Sequence, residues 1–173
     1  MTPPTSTPVT PNSRVALVTG ANSGIGRVTA VELALRGYHV FLACRDAGKT
    51  AEVLDEIAQR SGGTAKAEFI ALDLGDLDSV RQCAQAFNAR ELPLHLLVNN
   101  AGLAGQKGFT KSGFELAFGV CHVGHFLLTR LLLDRLKAAA PSRVVVVASR
   151  AHRHAKGIDL AAVRQPSRSR GRS

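Results

Sequence analysis

The sequence is short of aromatic residues, which make up 5% of its 173 positions, and it has only three cysteines. A core with few rings has to be filled by Val, Leu and Ala, and an apolar fraction of 45% is ample for that. Such a composition suits a sheet covered by helices on both faces. Cys44, Cys83 and Cys121 are odd in number, far apart and without C-x-x-C pairing, so a disulfide framework or a metal centre is not expected. Residues 1–13, rich in Pro and Thr, lack the basic segment and apolar run of a signal peptide and read as a disordered lead. No stretch reaches the ~20 apolar residues of a membrane-spanning helix; residues 127–136 are interrupted by Arg130, Asp134 and Arg135. These absences predict a soluble, cytoplasmic protein.

An even spread of charge is missing as well. The net charge is +9, but residues 143–173 hold eight basic residues against one acidic, while the first 142 hold 14 against 12. The excess belongs to the C-terminal end and not to a patch on the folded body, so no specific nucleic-acid partner is expected. Residues 163–173, alternating Arg and Ser with Pro and Gly, read as a basic disordered tail.

What the chain does have is alternation. Residues 14–19, 38–43, 67–72, 94–98 and 143–148 are short apolar runs that read as strands. Between them, residues 28–35, 47–60 and 76–89 read as helices, and a single long helix is expected over 114–138. Val28, Val31, Ala34 and Leu35 are expected on the inner face of the first helix, the second starts at Asp46 or Ala47, and either Asp76 or Asp78 caps the third. This pattern predicts an α/β fold: a doubly wound parallel sheet, Rossmann-like, of about five strands in the order 3-2-1-4-5, forming one domain over residues 14–162. Ligands of such sheets bind beyond the carboxyl ends of the strands. That rule alone nominates Gly20, Arg45, Asp73, Asn99 and Ser149.

Three of these positions carry local chemistry. The first strand runs into Thr19-Gly20-Ala21-Asn22-Ser23-Gly24-Ile25-Gly26 and then a helix. Glycines allow close approach of a pyrophosphate, and the helix N-terminus offers it free N–H groups and a positive dipole end. At the end of strand two, where a carboxylate would accept from a ribose 2′-hydroxyl, the chain has Cys44 and Arg45. A guanidinium suits a 2′-phosphate, which favours NADP over NAD. Asn99-Asn100-Ala101-Gly102 follows strand four, where small residues allow close approach of a ribose or nicotinamide.

Together these motifs resemble the short-chain dehydrogenase/reductase family. The glycine turn, Asp73-Leu74, Asn99-Asn100-Ala101-Gly102 and the Val-rich strand ending at Ser149 match it in type, order and spacing over about residues 14–160. Ala43-Cys44-Arg45-Asp46, residues 124–129 and Ala148-Ser149-Arg150-Ala151-His152 are similar to its retinol dehydrogenase-like branch. The resemblance implies that Gly20, Ser23, Gly24, Ile25 and Gly26 hold the pyrophosphate and Arg45 the 2′-phosphate. It implies that Asp73 and Leu74 flank the adenine, and that Asn99, Ala101 and Gly102 line the ribose and nicotinamide. Ser149 matches the family's catalytic serine, which hydrogen-bonds the substrate oxygen during hydride transfer.

Two departures limit the activity this resemblance implies. The family's acid/base is a Tyr-x-x-x-Lys pair about a dozen residues past the serine, whereas the only tyrosine here is Tyr38, on strand two. Cys121 stands where the family's long helix carries an asparagine, and a thiol is a weak donor and acceptor. His122 and His125, and His152 and His154, lack a third ligand at metal spacing and are expected to pack or to face solvent. The expectation is an NADP-preferring oxidoreductase of apolar alcohols or carbonyls, C-terminally truncated and inactive as this chain. The alternative is a non-catalytic dinucleotide-binding or interaction protein. Residues 144–147 would be an uncovered apolar edge, a route to self-association through the fifth strand or the long helix.

Overall fold

The computed structural model of the chain describes residues 14–154 and 157–165. The expected lead, residues 1–13, and residues 166–173 of the expected tail lie outside the described residues.

Five strands, β1 (Val15–Thr19), β2 (His39–Cys44), β3 (Ala67–Ala71), β4 (Leu96–Asn99) and β5 (Arg143–Val146), form one sheet in the order β3-β2-β1-β4-β5. All four pairings are parallel, with Leu17 of β1 level with Phe41 of β2 and Leu97 of β4. The order predicted from the alternation is the one observed. Helices α1 (Gly24–Leu35) and α2 (Ala47–Arg60) cover one face, and α3 (Leu77–Asn88), α5 (Gly124–Leu131) and α6 (Leu133–Ala138) cover the other.

The two-residue period of a strand sends alternate side chains to these two layers. Val15 and Leu17, with Phe41, Leu97, Phe87 and Leu128, build one core cluster. Ala16 and Val18, with Val40, Leu42, Val31 and Ile57, build the other. The Phe41 and Phe87 rings meet edge to face at 5.1 Å between centroids, an arrangement the aromatic quadrupole favours.

Caps place the helices close to where the sequence puts them. Asp46 accepts the N–H of Lys49 at the start of α2, and Asp76 accepts that of Asp78 at the start of α3. On α1 the inner face differs from expectation: Gly26, Ala30, Val31 and Ala34 are buried, while Val28 is 63% exposed. Val31 and Ala34 face inward as expected, and the stripe continues toward the helix start through Ala30 and Gly26, where a Cβ would meet the Gly20 carbonyl oxygen, and not through Val28.

The long helix expected over 114–138 is interrupted. A three-residue α4 (Leu116–Phe118) leads into a π-helical segment, Gly119–Val123, and α5 and α6 are separated at Leu132, whose φ of −98° and ψ of 1° leave the helical region. Apolar periodicity does not register this segment, because α4 is three residues long and sets no phase against which one extra residue in a turn would show. Inside this stretch a Cβ on Gly124 would lie 2.5 Å from the Leu74 carbonyl oxygen. The helix is thus pressed against the loop after β3.

Val163 and Arg164, which the sequence assigns to the disordered tail, are packed. The Val163 carbonyl accepts the N–H of Glu115 at 2.8 Å, and the Arg164 guanidinium lies 4.3 Å from the centre of the Phe114 ring. An isolated Arg/Ser-rich composition carries no record of such a partner elsewhere in the chain.

Candidate functional site

A cleft of about 640 Å³ opens along the carboxyl edge of the sheet. Each strand contributes to its wall just past its end: Gly20 after β1, Arg45 after β2, Asp73 after β3, Ala101 after β4 and Val147 after β5.

The floor is the turn from β1 to α1. Gly20 has φ +64°, and a Cβ there would lie 2.9 Å from the Ala101 Cα. A Cβ on Gly26 would lie 2.2 Å from the Gly20 carbonyl oxygen. Both glycines are therefore required by backbone packing alone, before any ligand is considered. Ser23 is the N-cap of α1 in extended conformation, yet its hydroxyl makes no capping bond, and no acidic residue lies in the first turn. The helix N-terminus keeps its N–H donors and partial positive charge for an external acceptor. Ser23, Ile25 and Gly26 line the cleft, whereas Gly24, the first residue of α1, is not part of its wall.

At the β2 end, Arg45 is exposed, lines the cleft and has no ion-pair partner among the described residues. Its neighbour Asp46 is engaged elsewhere: one carboxylate oxygen accepts the Lys49 N–H at 3.0 Å and the other lies 3.9 Å from Lys49 Nζ. Lys49 also lines the cleft, a second cation that sequence reading passes over. Cys44 is buried, and burial pushes its thiol pKa up, so this corner carries no thiolate.

Asp73 and Leu74 both reach the cleft. One Asp73 carboxylate oxygen accepts the N–H of Gly75 at 2.8 Å, and its own N–H donates to Ser79 Oγ at 2.9 Å, which fixes the loop after β3.

After β4 the cleft takes Asn100, Ala101 and Gly102, but not Asn99. Asn99 is buried, with Nδ2 donating to Thr129 Oγ1 of α5 at 3.0 Å and Oδ1 unpartnered among the described residues. Strand parity decides this: as the last residue of β4, Asn99 turns toward the helix layer. Asn100 instead donates from Nδ2 to the Thr19 carbonyl at 2.9 Å, tying the two glycine-bearing loops together.

Ser149 is exposed and is not among the residues lining the cleft; Val147, two positions earlier, is. The Ser149 carbonyl accepts the N–H of His152 in the 3₁₀ turn Arg150–His154 that follows. Cys121 lies in the π segment, exposed, with Sγ 3.8 Å from the Leu103 carbonyl oxygen. It borders the loop after β4 without entering the cleft wall. Among the described residues no group of three or more His, Cys, Asp or Glu is placed to hold a metal ion.

Sequence reading missed the buried pair Thr19 and His125, whose side chains meet at 2.8 Å behind the glycine turn. Their signal was faint: a threonine opening the glycine motif, and a histidine among apolar residues on a helix.

An uncapped helix N-terminus, an unpaired guanidinium and a floor of close-packed glycines at the carboxyl edge of a parallel sheet define a doubly wound domain of the dinucleotide-binding class. The family model for short chain dehydrogenases matches residues 14–159, and the chain belongs to that family. It is 51% identical over 140 residues to the human protein named retinol dehydrogenase 11, covering 80% of this chain and 44% of that one. It is 48% identical over 149 residues to a zebrafish (Danio rerio) protein named WW domain-containing oxidoreductase, covering 86% and 36% of the two chains. Among solved structures, a protein of Escherichia coli CFT073 described as a short-chain dehydrogenase in complex with NADPH superposes with a TM-score of 0.71. That match is 29% identical and covers 84% of this chain and 62% of the other. The chain thus spans less than half the length of these two curated relatives. The branch of the family is the retinol dehydrogenase-like one.

Proposed function

We propose that this chain is the nucleotide-binding part of an NADP(H)-dependent oxidoreductase acting on an apolar alcohol or carbonyl compound. The observation that carries the cofactor preference is Arg45: a guanidinium at the end of β2 with no ion-pair partner among the described residues, beside an Asp46 already occupied as a helix cap. A carboxylate there would favour a ribose 2′-hydroxyl, whereas a free guanidinium favours a 2′-phosphate. The uncapped start of α1 would hold the pyrophosphate, and Asp73 and Leu74 would flank the adenine. Ala101 and Gly102 would lie along the ribose and nicotinamide. A bound nicotinamide would supply or accept the hydride. The complex of the E. coli relative with NADPH and the name of the human relative support this reading, the latter pointing to retinoid-like alcohols or aldehydes.

Among the described residues no tyrosine lines the cleft. Tyr38 immediately precedes the amino end of β2. At about 3.3 Å per residue a six-residue strand puts it roughly 20 Å from the cleft. No other tyrosine is present. This favours a second reading of the isolated chain as a non-catalytic dinucleotide-binding or interaction module. A cytoplasmic location belongs to the proposal, supported by three unpaired thiols, and fractionation of the tagged protein tests it.

Calorimetric titration with NADP⁺ and NAD⁺ tests the reading. Arg45→Ala should weaken NADP⁺ binding by about tenfold to a hundredfold, the worth of a charge-assisted contact, and leave NAD⁺ nearly unchanged. Equal losses for both nucleotides would refute the 2′-phosphate role. Incubation with NADPH and a panel of apolar aldehydes should give no turnover; turnover would show that an acid/base other than tyrosine is at work.

A further inference from the structure

Thr19 and His125 lie behind the cleft at the junction of three elements: the end of β1, the loop after β4, and the π segment with the α5 it leads into. Thr19 Oγ1 accepts two backbone N–H groups, from Asn100 and Ala101, each at 2.9 Å. A hydroxyl has two lone pairs and one proton, so both lone pairs are taken. The proton has two possible acceptors: the Val98 carbonyl at 3.4 Å and His125 Nε2 at 2.8 Å. The shorter contact takes it. Nε2 is then an acceptor, and the imidazole proton belongs on Nδ1, which donates to the Cys121 carbonyl in the π segment at 3.1 Å. Every proton in this chain of bonds is assigned, and the assignment requires a neutral imidazole.

We propose that neutral His125 is a positioning residue for the nucleotide cleft, holding Thr19 so that its hydroxyl clamps the glycine turn to the Asn100–Ala101 loop, and that nucleotide affinity falls when the imidazole is protonated. A protonated ring would point an N–H at an oxygen whose lone pairs are already filled. Thr19 would then release Asn100 or Ala101, and Ala101 is the residue on which Gly20 packs. Burial is the main cause that holds the His125 pKa below its ordinary value. The bond to Cys121 opposes that shift, and His122 of the π segment adds to it. Thr19 from β1 and Asn100 from the loop after β4 bring no charge to face it.

This inference rests on the dinucleotide reading, and the experiment separates the two. NADP⁺ affinity is measured by calorimetry from about pH 7.5 down to about pH 5.5 for the parent chain, His125→Gln and His125→Leu. The glutamine oxygen can accept from Thr19 but does not titrate. At neutral pH, His125→Gln should bind within about threefold of the parent and His125→Leu about tenfold more weakly, as one lost buried hydrogen bond allows. On acidification the parent should lose affinity about fivefold more than His125→Gln; titration of the nucleotide's own phosphate cancels in that ratio. Nitrogen-15 NMR of labelled histidine should show His125 in the Nδ1–H form without any nucleotide, which keeps the test open if the leucine variant fails to fold. Parallel pH profiles for parent and glutamine variant, or an Nε2–H tautomer, would overturn the inference alone. No binding by the parent chain would overturn both it and the nucleotide reading.

Discussion

β1 and β5 are short parallel strands of one sheet, both rich in valine, and they live in opposite surroundings. Every residue of β1 is fully buried, between β2 and β4 and under helices on both faces. Val144, Val145, Val146 and Val147 are between 42% and 64% exposed, and among the described residues their strand has a neighbour on one side only. A run of valines expresses a preference for cover; it does not supply the cover. At the end of β1 the chain passes into a glycine turn held by Thr19, Asn100 and His125. At β5 the outer ladder edge has no partner among the described residues, and such an edge is prone to pairing with another chain.

The sharpest way to break this contrast is one chemical change made in both places. Val18→Ala should destabilise the fold by about 1.5–3 kcal/mol in urea unfolding, since a fully buried valine loses its contacts and leaves a cavity. Val145→Ala should cost less than about 1 kcal/mol, because its side chain is already half in water. Equal costs would mean that β5 is covered in solution.

A smaller effect should come from pH, and it acts on the β1 side only. His39, level with Val15 of β1, and His125, bonded to Thr19, are both held below the ordinary histidine pKa chiefly by burial. The unfolded chain therefore binds more protons than the folded one as pH falls below the ordinary value of 6.5. Stability is fully present above that value and is lost as pH falls through it toward the lowered folded values. Denaturation curves at about pH 7.5 and about pH 5.5 should show the loss, and a His39→Gln/His125→Gln double variant should flatten it. An unchanged midpoint for the parent chain would sink this account.

The smallest effect on folding, yet a plain one on behaviour, is expected at the edge. Val145→Lys should alter stability by no more than about 0.5 kcal/mol, as surface substitutions do, while abolishing the concentration-dependent association that sedimentation velocity is expected to show for the parent chain. A parent chain that stays monomeric at high concentration would show that the edge is harmless.

Much of the site was legible in the sequence because a parallel sheet puts its chemistry at a predictable place. Gly20, Arg45 and Asp73 were nominated by strand ends alone, and all three line the cleft. The nomination failed where one residue of phase matters. Asn99 and Asn100 are neighbours of the same type, but strand parity turns the first toward Thr129 and leaves the second facing the cleft. Val28 looked like a core residue, but the buried stripe of α1 runs through Gly26, Ala30, Val31 and Ala34 and leaves it 63% exposed. The π segment was invisible because its sequence, Gly-Val-Cys-His-Val, fits an α-helical turn as well.

By itself the sequence determined the order of strands and helices, the approximate starts of α2 and α3, and the glycines at the head of α1. Each of these follows from local conformational preference or from apolar periodicity, which neighbours along the chain can express. Only the tertiary structure decided that His125 meets Thr19, that Arg164 lies on Phe114 and that, among the described residues, Arg45 has no ion-pair partner and β5 has a neighbour on one side only. Those depend on contacts between residues tens of positions apart, and no local pattern reports whether such a partner arrives. The glycine turn belongs to both accounts: its residues were readable at once, and its clamp was not.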